Sequence, residues 1–178
     1  MNNITQLVAS SLLLSLLAAC GGEAEPALKS DAAGAAFALA ADPGAARSIA
    51  EVKAAGPGPE VVVARGRVQD LTKDFAILKL MGTALHYCGE VKAEGCPTPW
   101  DYCCDTPEDR RAHELLVEFR GPDGKPIETV GLPDTRLLDL IKVRGKLTKN
   151  EFGSLVFVAD GFWKISRPEL PDNLNWPE

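Results

Sequence analysis

Along VVVARGRV (61–68), Val62, Ala64, Gly66 and Val68 fall on one side of an extended chain and Arg65 and Arg67 on the other. This is the period-2 alternation of a strand with one buried and one wet face. IKVRGKL (141–147) repeats the design, with Ile141, Val143, Gly145 and Leu147 opposed to Lys142, Arg144 and Lys146. Each stretch carries a mid-strand glycine, as a strongly coiled or bulged strand of a small barrel requires. Three further strands are predicted. They are FAILKLM (75–81), ELLVEFR (114–120) with Leu115, Val117 and Phe119 inward, and SLVFVADGFWKI (154–165), entered through residues 150–153. Pro122-Asp123-Gly124 followed by PIETV is a hairpin signal. DTRLL after Pro133 can form one helical turn before the next strand.

Ahead of the strands the period changes. Asp42 can cap a helix, Pro43 suits its first position, Ala46, Ile49 and Val52 recur at helical spacing, and Gly56 before Pro57 closes it. A short helix over 43–55 is predicted. Five main strands with a helical piece before the fourth make a mainly β chain that resembles an OB-fold. That fold is a small Greek-key barrel pairing strand one with strand four. The kinship of VARGRV and KVRGKL at those two places carries the resemblance. It leaves a long Cys-rich loop, residues 85–111, between strands two and three.

The apolar run LVASSLLLSLLAA (7–19) is short for a membrane span but right for the core of a secretory signal, although MNNITQ before it has no Lys or Arg. It ends in Leu17-Ala18-Ala19-Cys20, which resembles the lipobox of bacterial lipoproteins. The resemblance implies cleavage after residue 19, lipidation of Cys20, and membrane attachment through acyl chains. Residues 21–41, rich in Ala, Gly and Glu, read as a flexible spacer. The expected organisation is a signal over 1–19, lipidated cysteine and tether over 20–41, one β domain over 42–168, and a tail over 169–178. Localisation follows as an exported, membrane-anchored protein of the bacterial envelope.

Charge narrows the partners. Nineteen basic against 25 acidic side chains leave a net charge of -6, which opposes a general attraction to nucleic acid. Arg65, Arg67, Arg144 and Lys146 could still form a basic strip on neighbouring strands. The stacking aromatics of a nucleic-acid face are missing there, so a solvated surface paired with acids is the preferred reading. G-x-S-x-G, P-loop, G-x-G-x-x-G and H-E-x-x-H patterns are absent, so the common catalytic scaffolds have no counterpart here.

Chemistry concentrates in LHYCGEVKAEGCPTPWDYCCD (85–105), which holds four of the five cysteines. With its block CPTPWDYCC (96–104) the chain resembles a family of uncharacterised exported bacterial proteins that join this block to an OB-like domain. The resemblance implies fold and topology and no activity. Export and an even cysteine count point to disulfides among Cys88, Cys96, Cys103 and Cys104. Cys103 and Cys104 are adjacent and poorly placed to bridge each other, so Cys88 and Cys96 would each take one of them. The alternative is a thiolate site for zinc or copper, with His86 as a possible further ligand. The cysteine gaps of seven, six and none lack the C-x2-C knuckles of structural zinc sites. A thiol redox role would require a depressed thiol pKa. The acids Asp101, Asp105, Glu108 and Asp109 argue against one. Trp100 and Tyr102 could form a binding surface, but packing on the loop and barrel end is the preferred reading. The sequence thus predicts a non-enzymatic binding or structural envelope protein without a cofactor. A metal-binding module is its first alternative and a thiol redox protein its second, and any protein or small-molecule partner stays unassigned.

Overall fold

The computed structural model describes residues 31–90 and 96–169. The chain is mainly β, with six strands in one sheet and few helices. In order they are α1 (Ala32–Ala35), β1 (Arg47–Ser48), α2 (Ile49–Ala55), β2 (Val62–Leu71), β3 (Ile77–Met81), α3 (Pro107–His113), β4 (Glu114–Phe119), β5 (Leu140–Lys149) and β6 (Leu155–Ser166). Pairing runs β1-β2-β3-β4-β6-β5, and β2 also pairs with β5, so the last five strands form a closed ring of neighbours. The two strands of shared design are partners in it, with Ala64 opposite Val143 and Gly66 opposite Ile141. β4 and β6 run parallel, while β2–β3, β3–β4, β2–β5 and β5–β6 run antiparallel.

The alternation does what its period requires. Ala64, Val68, Leu78, Leu80, Leu115, Val117, Phe119, Ile141, Val143, Leu147 and Phe157 meet in one core. Each large side chain buried there contributes about 1.5–3 kcal/mol. On β6 the alternation breaks, because the register shifts between Arg144 and Gly145 of its partner strand, and Val156 and Phe157 are both buried. That irregularity is where a glycine is needed: a Cβ on Gly145 would lie 2.1 Å from the Val158 carbonyl oxygen.

Three expectations are corrected. The first helix begins at Ile49, not at Pro43, because Ser48 is its N-cap and closes a capping box with Glu51. Asp42 instead accepts from the Gly44 N–H at 2.8 Å and from Lys142 Nζ at 2.6 Å. The stretch after Pro133 forms successive turns and no helical turn, with positive φ at Asp134 (46°) and Leu138 (64°). PIETV returns only through isolated bridges, Arg120 with Pro126 and Phe75 with Glu128. Pro126 has no N–H to extend a ladder.

The second half of the expected spacer packs against the sheet. Asp31 caps α1 by accepting from the Gly34 N–H at 2.9 Å, and it also accepts from Thr129 Oγ1 at 2.6 Å and the Val130 N–H at 3.1 Å. Phe37 lies 4.9 Å from the Phe119 ring, and the Leu39 N–H donates to the Phe162 carbonyl at 2.9 Å. The Thr129 hydroxyl, then the Gly34 and Val130 N–H groups, hold the Asp31 carboxyl down to about 2 from its ordinary 3.8. A carboxyl depressed by folding adds stability above its unfolded pKa, and that stability is lost as pH falls through the folded value. The stability gap between wild type and Asp31→Asn is therefore expected to hold steady above about pH 4 and shrink toward pH 2. Urea midpoints across that range check it; a gap unchanged at pH 2 would show that the charge plays no part in this docking.

The signal segment, Cys20 and residues 170–178 lie outside the described residues. Among the described residues no helix is long and apolar enough to cross a membrane.

Candidate metal centre in the cysteine loop

Between β3 and α3 the chain leaves the sheet, and three turns give the excursion its shape. The Glu90 N–H donates to the Tyr87 carbonyl at 2.9 Å, Asp101 to Thr98 at 3.0 Å, and Asp105 to Tyr102 at 3.3 Å. Pro99 holds the second position of the middle turn, where its fixed φ is favoured. Cys88 N–H to the Asp101 carbonyl at 2.8 Å and Gly89 N–H to the Pro99 carbonyl at 2.7 Å join the two limbs. Their approach is close enough that a Cβ on Gly89 would stand 2.6 Å from the Pro99 Cβ.

The loop is seated on a second, smaller apolar cluster. Met81, Leu85, Tyr87, Tyr102 and Leu138 are buried together, with Trp100 packed against them. Tyr102 is 0% exposed. Its hydroxyl makes no hydrogen bond among the described residues. Burial pushes that hydroxyl up to about 12, against the pull of the nearby Arg67 guanidinium. Trp100 and Tyr102 thus pack the loop, as the preferred reading of the block expects.

Arg67 is the polar fastening of the same seat. From β2 it donates to the Leu85 carbonyl at 3.1 Å and to Glu90 Oε1 at 3.1 Å, and its guanidinium lies 5.2 Å from the centre of the Tyr87 ring. Period-2 alternation correctly turns this side chain away from the core, yet the loop folds over and engages it. The other strip residues are mixed. Arg144 Nε donates to Asp160 at 2.8 Å, while Arg65 and Lys146 are exposed.

This frame brings three sulfurs together. The Sγ atoms of Cys88, Cys96 and Cys103 lie within 4.8 Å of one another, with Cys88 buried, Cys96 half-buried and Cys103 exposed. Cys88 and Cys103 are 3.2 Å apart. A disulfide spans about 2.05 Å, and the expected disulfides are absent among the described cysteines. Cys104 stands outside the trio. It shares with Cys103 the two central positions of the 102–105 turn, so the neighbours occupy different corners of the bend. His86 is also outside; its side chain is 76% exposed and its Nδ1 lies 2.9 Å from Glu90 Oε2.

The three thiols differ in acidity for identifiable reasons. Burial, then the hydrogen bond it donates to Cys103, pushes Cys88 up to about 11. The Thr98 N–H, then the Thr98 hydroxyl, lowers Cys96. At Cys103 the Cys88 thiol pulls downward, but burial together with Cys104 and Cys96 outweighs it, and the net direction is up. Burial and sulfur contacts, more than the acids Asp101 and Asp105, set these directions. Such a trio can hold one soft cation as thiolates, or the closest pair can be oxidised to a disulfide. No spacing rule identified which three cysteines would meet. The one local hint is the pair of prolines and the tight turns that fold 96–103 back onto Cys88.

Comparison with protein-family models finds no match to this chain, and a search of curated proteins returns no relative.

Proposed function

We propose that this chain is an exported, lipid-anchored protein of the bacterial envelope whose domain is a non-enzymatic, soft-metal-binding module. The observation that carries the metal reading is the convergence of the Cys88, Cys96 and Cys103 sulfurs within 4.8 Å of one another. Thiolate donors select zinc or cuprous copper over hard cations. The domain is an OB-like five-stranded barrel. In support of this, β2 pairs with both β3 and β5, and β4 pairs in parallel with β6. Its short third strand carries the metal loop outward from one end. Anchoring through Cys20 rests on the apolar run and on Leu17-Ala18-Ala19-Cys20.

A second reading, a disulfide clasp, is favoured by the 3.2 Å approach of Cys88 to Cys103. Thiol titration of unreduced, denatured protein from an oxidising compartment, with metal analysis of the same sample before denaturation, separates the two. Stoichiometric zinc or copper with four reactive thiols supports the metal module. No metal and no reactive thiol beyond Cys20 overturns it in favour of the clasp. For the anchor, Cys20→Ser is expected to move the protein from the membrane to the soluble fraction, and unchanged membrane association would overturn the lipoprotein reading.

A further inference from the structure

Resting on the soft-metal reading, we infer that the ion held is cuprous copper, bound by the three thiolates of Cys88, Cys96 and Cys103 alone. The argument starts from the number of donors. Structural zinc takes four protein ligands in a closed tetrahedron. Here the two candidates for a fourth position point elsewhere. Cys104 stands outside the group, and His86 is largely solvent-exposed with its ring engaged by Glu90. Glu90 itself is held by Arg67 at 3.1 Å.

Three-ligand zinc is the arrangement of a catalytic centre, where the fourth position faces a substrate cavity and a group able to move a proton. Two cavities, of about 570 and 160 Å³, lie elsewhere on the molecule, and no residue of the cysteine loop lines either of them. The first is bordered by Phe37, Arg120 and Lys146, the second by Pro57, Pro59 and Leu147. A zinc ion in the trio would therefore lack a ligand without gaining a reaction. Cuprous copper is soft and has a filled d shell, so three thiolates in a plane complete its coordination.

The dimensions agree with this. A metal bonded to three thiolates at about 2.3 Å holds the sulfurs about 4 Å apart. The trio brackets that value, with 3.2 Å between Cys88 and Cys103 and 4.8 Å as its outer limit, so rotation of the side chains brings it into place. Burial is graded across the trio from Cys88, 4% exposed, to Cys103 at the surface. One edge of the ion would thus be reachable by an incoming thiolate or thioether of a donor or acceptor. Transfer would proceed by exchange of sulfur ligands at Cu(I). No electron changes hands, and each thiol that binds gives its proton to solvent.

The test uses the full chain, extracted in detergent, reduced and kept free of oxygen, and titrated separately with Cu(I) against a cuprous chelator and with Zn(II). One copper per chain is expected, with three sulfur neighbours and no nitrogen by X-ray absorption. Cys104→Ser and His86→Ala should leave stoichiometry and affinity unchanged. Cys96→Ser should weaken binding at least on the order of a hundredfold while its circular dichroism matches wild type, as suits a half-buried position. Zinc bound with a fourth protein ligand from Cys104 or His86, with copper binding non-stoichiometrically, would overturn the cuprous assignment and leave the metal module standing. Neither ion binding to protein with its thiols reduced would overturn both.

Discussion

Gly145→Val is expected to lower the stability of the chain by about 3 kcal/mol or more. At this point the β5–β6 register shifts, and Gly145 faces Ala159 with the strands in close approach. A Cβ there would meet the Val158 carbonyl oxygen at 2.1 Å, the Ala159 Cα at 2.7 Å and the Val158 carbonyl carbon at 2.9 Å. All three are backbone atoms of the adjacent strand, so no rotamer change relieves the clash. The sheet must open or the bulge must move, and β5 is bonded on its other edge to β2.

Gly66→Val offers a graded comparison on that partner strand. Its Cβ would meet the Ile49 Cδ1 at 2.8 Å, the Met81 carbonyl oxygen at 2.9 Å and the Leu80 Cβ at 3.1 Å. Ile49 can turn away but the carbonyl cannot, so a smaller loss, about 1–3 kcal/mol, is expected. Urea denaturation of both variants, with the slopes compared to wild type, measures the two losses. If both unfold at the wild-type midpoint, the close strand contacts at these glycines are wrong.

Tyr102→Ala is the second large effect. Removing a fully buried aromatic costs about 3–5 kcal/mol where the site cannot collapse, and Tyr102 is the largest side chain of the cluster beneath the cysteine loop. Because the main core lies apart from that cluster, the loss should fall first on the loop. Cys88, 4% exposed in the wild type, should react faster with a thiol reagent at urea concentrations well below global unfolding. Tyr102→Phe separates the ring from its hydroxyl. The hydroxyl makes no hydrogen bond among the described residues, so this variant should stay within about 0.5 kcal/mol of wild type. Equal losses for the Ala and Phe variants would assign the role to the hydroxyl and overturn the packing account.

These predictions divide along the line between local and distant information. The glycines at 66 and 145 were legible because strand alternation is a property of neighbouring residues. A glycine on an otherwise branched apolar face signals close approach without naming the partner. The capping box of Ser48 and Glu51 was equally local and is a better helix signal than Asp42 and Pro43. The strand pairing of β2 with β5 was legible by likeness of design. Arg67 was read from the same alternation as an outward cation, which it is. Its actual work depends on Leu85 and Glu90, on a loop no periodicity could place.

The sequence by itself determined the β class, the inward residues of the main strands and the crowding of cysteines into one loop. It also carries the apolar leader ending at Cys20. All of these follow from composition and spacing over a few residues. Only the tertiary structure decided that residues 31–39 dock through Asp31, that Leu138 takes positive φ beneath the loop, and that Cys88, Cys96 and Cys103 meet while Cys104 does not. The physical reason is that each of these is a contact between distant segments. Its geometry is set by how turns and packing direct a side chain in space, and adjacency in the chain, as Cys103 and Cys104 show, can place two identical groups on different sides of one bend.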